Sequence, residues 1–332
     1  MDQTRPSRRT ALYPPAEPTA KGLLKLDSLH RMYWEVSGNP KGVPVVFLHG
    51  GPGAGCHPHH RRYFDPRRYR VILFDQRGAG LSQPLGELTD NTTAHLVEDL
   101  ERLRIHLEVE RWVLFGGSWG SALALAYGEA HPERCLGLIM RGIFLGRRRE
   151  VDWFLNGMGM FFPEARRRFI EFLPEGERDD PLAAYHRRLT DDDPDVHMPA
   201  ARVWAAYEGA CSTLRHEVKP EREGGTPSGG KGAFTLARIE AHYFTNDMFM
   251  EDGALLDNIA RLKGVPAVIV QGRYDMVCPI TSADALVRAW PGTPGENGLD
   301  YHIIPDAGHA ASEPGTRAAL MAATEKFKTL PD

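Results

Sequence analysis

Residues Trp112 to Tyr127 read WVLFGGSWGSALALAY: an apolar run, a glycine-rich turn with a serine at its centre, and a segment rich in alanine and leucine. The run Trp112–Phe115 is apolar on both faces, which is typical of a buried parallel strand, and Ser121–Ala130 predicts a helix. The turn between them, Gly116 to Gly120, matches the pattern GxSxG. On such a turn, small residues on either side let the backbone pass closely, and the serine hydroxyl stands above the carboxyl edge of the sheet. We therefore expect Ser118 to be a nucleophile, and the alternative is a glycine-rich turn with an incidental serine.

Further short segments repeat this pattern along the chain. Runs that are apolar on both faces predict buried parallel strands at Val43–Leu48, Tyr69–Phe74, Leu136–Met140, Ala267–Val270 and Tyr301–Ile304. Residues 22–37 alternate apolar and polar side chains and predict an antiparallel hairpin at a sheet edge. Helical segments such as Thr93–Leu107 lie between the strands. The sequence therefore predicts an α/β fold with a mostly parallel central sheet and helices on both faces.

The alternation of strands and helices stops between about Leu145 and Asn258. This stretch has aromatic and charged residues at helical spacing and predicts an inserted helical cap. We expect core residues 1–144, a cap at 145–258 and a second core part at 259–332. Within the cap, Glu221 to Gly232 (EREGGTPSGGKG) has the composition of an exposed flexible loop. The aspartates between positions 191 and 195 allow a calcium site as an alternative, but the glycine and closing glutamate of an EF-hand loop are missing, which favours a solvated turn.

Composition limits the classes of partner. The chain has 332 residues and a formal net charge of −4, which gives no basic surface for nucleic acid. The four cysteines form no CxxC pair, which is typical of reduced thiols in the cytoplasm. No apolar stretch approaches the ~18 residues of a membrane span, and the polar N-terminus does not resemble a signal peptide. We expect a cytoplasmic protein that binds neither nucleic acid nor membrane.

A serine hydroxyl needs a base to take its proton and a carboxylate to orient that base. After a serine on such a turn, the acid and then the histidine follow on loops after later strands. Asp275 follows the strand Ala267–Val270, and His309 follows Tyr301–Ile304, after a glycine that permits a tight approach. Asp306 is the competing acid, but at three residues from His309 we expect it to cap the next helix. The sequence predicts a triad of Ser118, Asp275 and His309.

The anion of a tetrahedral intermediate needs preorganised donors. The backbone amides of Trp119, directly after the nucleophile, and of Gly51, in the turn His49-Gly50-Gly51-Pro52-Gly53, are expected to form this oxyanion hole. His57, His59 and His60 follow that turn and raise the alternative of a metal site. No carboxylate spacing accompanies them and no HExxH occurs, so a polar loop is favoured. We expect no metal, and the absence of phosphate-binding glycine motifs implies no nucleotide cofactor.

Several segments together resemble the proline iminopeptidase family, the prolyl aminopeptidases of the α/β-hydrolase fold. They are HGGPGAG at 49–55, FDQRGAGLS at 74–82, GGSWGSALALAY at 116–127, MRGIF at 140–144, DAGH at 306–309, and two cap segments, WAAYEGA at 204–210 and ARIEAHYF at 237–244. The resemblance covers nearly the whole chain, and HGGPG, DQRGAG and GGSWG are specific as a set.

The resemblance implies roles for residues that the pattern alone leaves as surface or packing residues. Glu208 and Glu240 would bind the free N-terminal amine of the substrate, and Arg141 would lie beside them and keep them ionised. Carboxylates in a partly dry pocket can replace the hydration that a protonated amine loses there. An apolar pocket for the pyrrolidine ring would be lined by Phe144, Phe154, Phe244 and Cys278.

The expected function is a cofactor-free serine exopeptidase that releases N-terminal proline from peptides through an acyl-enzyme. Two alternatives stay open. One is an esterase or amidase of the same fold in which Glu208 and Glu240 face solvent. The other is a non-catalytic ligand-binding protein on this fold.

Overall fold

Eight strands form a single sheet in the computed structural model, which describes residues 11–215, 230–292 and 298–330. The strands are β1 (Ala20–Lys25), β2 (Arg31–Gly38), β3 (Val43–Leu48), β4 (Tyr69–Phe74), β5 (Trp112–Ser118), β6 (Cys135–Ile143), β7 (Ala267–Gly272) and β8 (Leu299–Ile304). Their order in the sheet is β1-β2-β4-β3-β5-β6-β7-β8. The pairs β1–β2 and β2–β4 are antiparallel, and all other neighbours are parallel. The predicted edge hairpin and the mostly parallel sheet are confirmed.

Successive residues of the central strands enter two different apolar clusters. In β3 and β5, Val46 and Leu114 belong to the cluster that contains the helix after β5, whereas Val45 and Val113 pack with the C-terminal helix. Side chains alternate across a strand, so both faces of the sheet must be covered when all of them are apolar. This explains why the strands read as continuous apolar runs, and it confirms the prediction of helices on both faces.

The helices are α1 (Thr93–His106), α2 (Trp119–Ala130), α3 (Arg148–Asp152), α4 (Pro163–Glu171), α5 (Pro181–Leu189), α6 (Pro194–Cys211), α7 (Lys231–Thr245), α8 (Ala254–Asp257), α9 (Ile280–Ala289) and α10 (Pro314–Phe327). Short 3-10 turns and one π turn connect several of them. In the described part of the chain, no helix is both long and apolar enough to cross a membrane.

The described residues between β6 and β7 form helices α3 to α8 and no strand. Four buried aromatic side chains hold this region together. Phe169 stacks on Tyr185 and Tyr207 with ring centroids 4.4 and 4.6 Å apart, and Trp204 packs edge-on to Phe169. The proposed limits of the cap, 145–258, stay a prediction, and most of the loop expected at Glu221–Gly232 lies outside the described residues.

The aspartates near position 191 act as turn and cap residues. Asp191 accepts a hydrogen bond from the amide of Asp193 at 2.8 Å, and Asp193 caps α6 by accepting from the amide of Asp195 at 2.9 Å. Such local side-chain to backbone bonds are typical of a turn before a helix. The expectation of a turn is therefore confirmed.

Glu129 on α2 is a buried carboxylate that weakens the fold at neutral and alkaline pH. One of its oxygens has no hydrogen-bond partner, and burial raises the pKa of Glu129 to about 8, with Arg261 opposing the rise. A raised folded-state pKa means that the folded protein holds a proton which the unfolded chain releases above its ordinary pKa of 4.5. Stability is therefore lost as pH rises from about 4.5 to 8.

We expect Glu129→Gln to raise the free energy of unfolding by about 2 kcal/mol at pH 8, and to change it little at pH 4.5. Urea unfolding at the two pH values measures the difference. Glu110→Gln, which alters an exposed carboxylate, serves as the control. An equal effect of Glu129→Gln at both pH values would contradict the argument.

Candidate active site

Ser118 occupies a strained turn between β5 and α2. It is the last residue of β5 and has φ 58° and ψ −130°, a conformation that non-glycine residues rarely adopt. The turn needs glycine on both sides: a Cβ at Gly116 would lie 2.1 Å from the Gly120 carbonyl oxygen, and one at Gly120 would lie 2.1 Å from that of Leu48. Strain of this kind costs about 1–3 kcal/mol and clusters at functional sites. The turn geometry predicted from GxSxG is thus present.

His309 and Asp275 form a hydrogen-bonded pair. The His309 Nδ1 lies 2.8 Å from Asp275 Oδ2 and 3.0 Å from Oδ1, and both side chains are buried. Asp306 is exposed and makes no hydrogen bond to His309 within the described residues. The expected capping by Asp306 is wrong, because α10 begins with Glu313 as its N-cap, without a side-chain cap bond, and Pro314 as its first residue. Of the two acids considered, the structure therefore brings Asp275 to the histidine.

Gln271 at the end of β7 holds Asp275 in place, and the sequence analysis did not identify it. Its Nε2 donates to Asp275 Oδ2 at 3.2 Å and to the Cys278 carbonyl at 3.0 Å, and its Oε1 accepts from the Ile143 amide at 2.9 Å. The Cys278 amide donates to the other oxygen of Asp275 at 2.8 Å. A carboxylate with these donors keeps one orientation and can fix the ring of His309. The position of a glutamine at the end of a strand beside the predicted acid was the only available signal.

The second ring nitrogen of His309 contacts Arg141. Nε2 of His309 lies 3.1 Å from Arg141 Nη1, which also donates to the His309 carbonyl at 2.8 Å. The Ser118 hydroxyl lies 3.9 Å from the Cys278 sulfur. Across residues 11–215, 230–292 and 298–330, no hydrogen bond joins Ser118 to His309, although both line one large pocket. Hydrogen bonds between catalytic residues are often long or poorly aligned when no substrate is bound. The position of Ser118 and His309 in one pocket is therefore compatible with a catalytic pair.

The turn before Gly51 is held by a buried histidine. His49 accepts a hydrogen bond at Nε2 from the Gln76 amide at 3.0 Å and contacts the Gly50 carbonyl through Nδ1 at 2.9 Å. Burial lowers the pKa of His49 to about 4, so its ring is neutral at pH 7. Gly51 has φ 107° and lines the same pockets as Ser118. The Trp119 amide is the first of α2, where helical amides lack partners within the helix. The oxyanion-hole role of Gly51 and Trp119 stays a prediction.

The two cap glutamates are close enough to interact, and the structure brings both to the site. Glu208 of α6 lines the large pocket with Ser118 and Arg141, and burial raises its pKa to about 7 while Arg141 lowers it. Glu240 of α7 accepts from Trp204 Nε1 at 2.5 Å, and burial together with the charge of Glu208 raises its pKa well above the usual value. Two carboxylates that resist ionisation side by side are matched to a cation.

A small pocket adjoins the large one and shares Ser118 and Gly51 with it. The four residues expected around a pyrrolidine ring all line it, together with Glu240, Glu150 and Val277: they are Phe144, Phe154, Phe244 and Cys278. Phe154 and Phe244 meet edge to face at 5.2 Å between ring centroids. The pocket is therefore mainly apolar, with the carboxylates Glu150 and Glu240 in its wall.

His57 and His60 stabilise the 3-10 helix Pro58–Tyr63. The His57 amide donates to His60 Nδ1 at 3.1 Å, and the His59 amide donates to His57 Nδ1 at 3.1 Å. These reciprocal bonds form a capping box. In the described part of the chain, no group of three or more His, Cys, Asp or Glu side chains is placed to hold a metal ion.

The chain is similar to known proteins in sequence and in fold. A family model described as alpha/beta hydrolase fold matches residues 43–316. The chain is 51% identical to a probable proline iminopeptidase of Leptolyngbya boryana, over 95% of this chain and 96% of that one. It is 47% identical to the proline iminopeptidase of Arabidopsis thaliana, over 98% of this chain and 83% of that one.

Among solved structures, the crystal structure of a proline iminopeptidase of Mycobacterium smegmatis is similar in fold. The TM-score is 0.59 at 19% identity, over 94% of this chain and 100% of that one. A sequence identity of 19% shows similarity of fold alone. The curated relatives, by contrast, match nearly the full chain at 51% and 47% identity. The chain therefore belongs to the proline iminopeptidase family of the α/β-hydrolase fold.

Proposed function

We propose that this chain is a serine exopeptidase that releases N-terminal proline from peptides. One observation carries the proposal: Ser118 lies between a pocket that contains the cap carboxylate Glu208 and a small apolar pocket walled by Glu240 and phenylalanines. The apolar walls suit a pyrrolidine ring, and the carboxylates suit its secondary ammonium. The names of the curated relatives support the same substrate.

In the proposed reaction, the Ser118 oxygen attacks the prolyl carbonyl carbon while its proton passes to His309 Nε2. The carbonyl π electrons move to the oxygen, and the amides of Gly51 and Trp119 donate to the resulting anion. When the C–N bond breaks, His309 returns the proton to the departing peptide amine and a prolyl ester of Ser118 remains. Water, deprotonated by His309, then hydrolyses the ester and restores the serine.

Arg141 has to break its contact with His309 Nε2 before this reaction begins. Its Nη1 lies 3.1 Å from His309 Nε2, the atom that must accept the serine proton. Because Arg141 also lowers the pKa of Glu208, its charge acts on that carboxylate as well. We infer that its role is to balance the charges of the amine site and the histidine, and that substrate binding draws its guanidinium away from Nε2.

The cap, proposed as residues 145–258 on a core of 1–144 and 259–332, limits the substrate on its N-terminal side. Glu240 sits on α7 in the wall of the small pocket, and a neutral acyl chain placed against this buried carboxylate would leave it without a partner, which costs free energy. We therefore expect the protein to act as an aminopeptidase and not as an endopeptidase.

We also propose a cytoplasmic location. All four cysteines are free thiols, and three of them are buried. This usage fits a reducing compartment. Peptides are the proposed partners, with no cofactor, nucleic acid or membrane.

The test compares proline-β-naphthylamide with its N-acetyl form. Acetylation removes the positive charge and the N–H donors of the amine, so a buried carboxylate pair loses its partner. We expect kcat/KM to fall by at least about 30-fold, since truncating one side of a buried charge pair costs about 2–5 kcal/mol. Comparable rates on the two substrates would instead indicate a general esterase or amidase.

A further inference from the structure

One side of the large pocket, formed by the 3-10 helix Pro58–Tyr63, by α10 and by the residues just before α10, lies outside the small pocket proposed for the proline ring. This outer wall is formed by His59, His60, Tyr63, Ser312 and Arg317. The wall and the triad are linked through the loop after His309, because Tyr63 donates to the carbonyl of Ala311 at 3.2 Å. Because Ser118 lines the same pocket, the part of the peptide that follows the attacked proline can extend along this wall.

Arg317 brings an uncompensated positive charge into the outer wall. Among the described residues it forms no ion pair, and its Nε is buried without a hydrogen-bond partner. Glu313, one helical turn earlier, is already engaged: its oxygens accept from the Leu214 amide at 2.9 Å and the Gly308 amide at 2.6 Å. An Nε–H that is buried without a partner costs stability, and a ligand that accepts a hydrogen bond from this guanidinium would remove that cost.

The charges along the pocket are unequally distributed. Glu208 is the single carboxylate among the described residues that line the pocket, and Arg141 is already bonded to His309. Burial lowers the pKa of His59 and His60, so these rings are neutral at pH 7 and do not compete with Arg317 for an anion. The pocket thus has a carboxylate for an amine and, separately, an arginine without a partner.

We propose that Arg317 binds the free C-terminal carboxylate of a short peptide, so that di- and tripeptides beginning with proline are favoured over longer or C-terminally blocked ones. This inference rests on the proposed function. Guanidinium groups match carboxylates in a bidentate geometry, and such charge-assisted bonds are the stronger kind. The occupant is a zwitterion, held by Glu208 and Glu240 at its amine and by Arg317 at its carboxylate.

The experiment measures kcat/KM for Pro-Gly and Pro-Gly-Gly and for their C-terminal amides. The wild-type protein is expected to prefer at least one acid over its amide by about tenfold, a typical value for a charge-assisted hydrogen bond. Arg317→Gln is expected to bring this ratio close to one, and Arg317→Lys to keep part of it. The ratio is measured within each variant, so a change in the amount of folded protein does not affect it.

Arg288→Gln is the matched control, since Arg288 is an exposed residue of α9 paired with Asp284 at 2.9 Å. It is expected to keep the wild-type ratio. Equal cleavage of acids and amides by the wild type, or an unchanged ratio in Arg317→Gln, would overturn the carboxylate site while leaving proline release intact. If the wild type cleaves neither these peptides nor proline-β-naphthylamide, both proposals fall.

Discussion

Substitution of Ser118 by alanine is expected to lower kcat for proline-β-naphthylamide by about 10⁵-fold or more, the scale on which nucleophile removal acts in serine peptidases. The reason is that no other described hydroxyl occupies the strained turn between the two pockets. The variant should fold normally, because alanine removes only the Oγ, whose contact with the Cys278 sulfur at 3.9 Å is a weak one. Active-site titration with a proline phosphonate, read by intact mass, measures the same event without turnover: the wild type gains one adduct and the variant none.

Ser312→Ala provides the control for Ser118→Ala, because Ser312 is an exposed serine that lines the same large pocket. It should still form the adduct and turn over substrate. Retention of more than about 1% of wild-type kcat by Ser118→Ala would assign the nucleophile elsewhere. Cys278 would then be the first residue to examine, because its sulfur lies 3.9 Å from the Ser118 hydroxyl.

The elements that the sequence predicted well are those dictated by burial. The limits of β3 and β4 match the predicted runs Val43–Leu48 and Tyr69–Phe74, because strands covered on both faces consist mostly of apolar residues, and Arg70 is the one charged residue within these two strands. The nucleophile turn was predictable for a steric reason: backbone oxygens lie where Cβ atoms of Gly116 and Gly120 would stand. β5 nevertheless extends to Ser118, three residues beyond the apolar run, since glycines leave no hydrophobic signal.

Contacts between distant segments were the part that the sequence could not supply. Gln271 links Asp275 to β6 by hydrogen bonds, and Arg141 contacts the ring of His309. The sequence positions of these two residues give no indication of their partners. The prediction that Asp306 caps the next helix was wrong because the residue that caps a helix is the one whose backbone is extended directly before the first helical residue. Pro314 favours the extended conformation in Glu313, which therefore becomes the N-cap.

Replacement of either cap carboxylate by its amide, Glu208→Gln or Glu240→Gln, is expected to lower kcat/KM for proline-β-naphthylamide by about 100-fold. The amide keeps the size of the side chain but offers no negative charge to the proline ammonium. The N-acetylated substrate has no ammonium, so its slower cleavage should change little, and the discrimination between the two substrates should collapse. Glu171→Gln, at an exposed carboxylate of α4, should retain it. Unchanged discrimination in both pocket variants would contradict amine recognition by Glu208 and Glu240.

The same carboxylates should couple substrate binding to proton release. In the free protein, burial raises the pKa of Glu208 to about 7, and burial together with repulsion from Glu208 raises the pKa of Glu240 well above its usual value, so protons are held at pH 6. A bound ammonium favours the ionised form and lowers both pKa values. Binding must therefore release protons, and affinity should rise with pH by up to about tenfold per unit for each proton released. Calorimetry of Ser118→Ala with Pro-Gly-Gly, in two buffers of different ionisation enthalpy at pH 6, counts the protons. The double variant with Glu240→Gln should release fewer. If the heat of binding is the same in both buffers and the affinity does not change between pH 6 and 8, the carboxylates are already ionised without substrate and do not select for a cation by this mechanism.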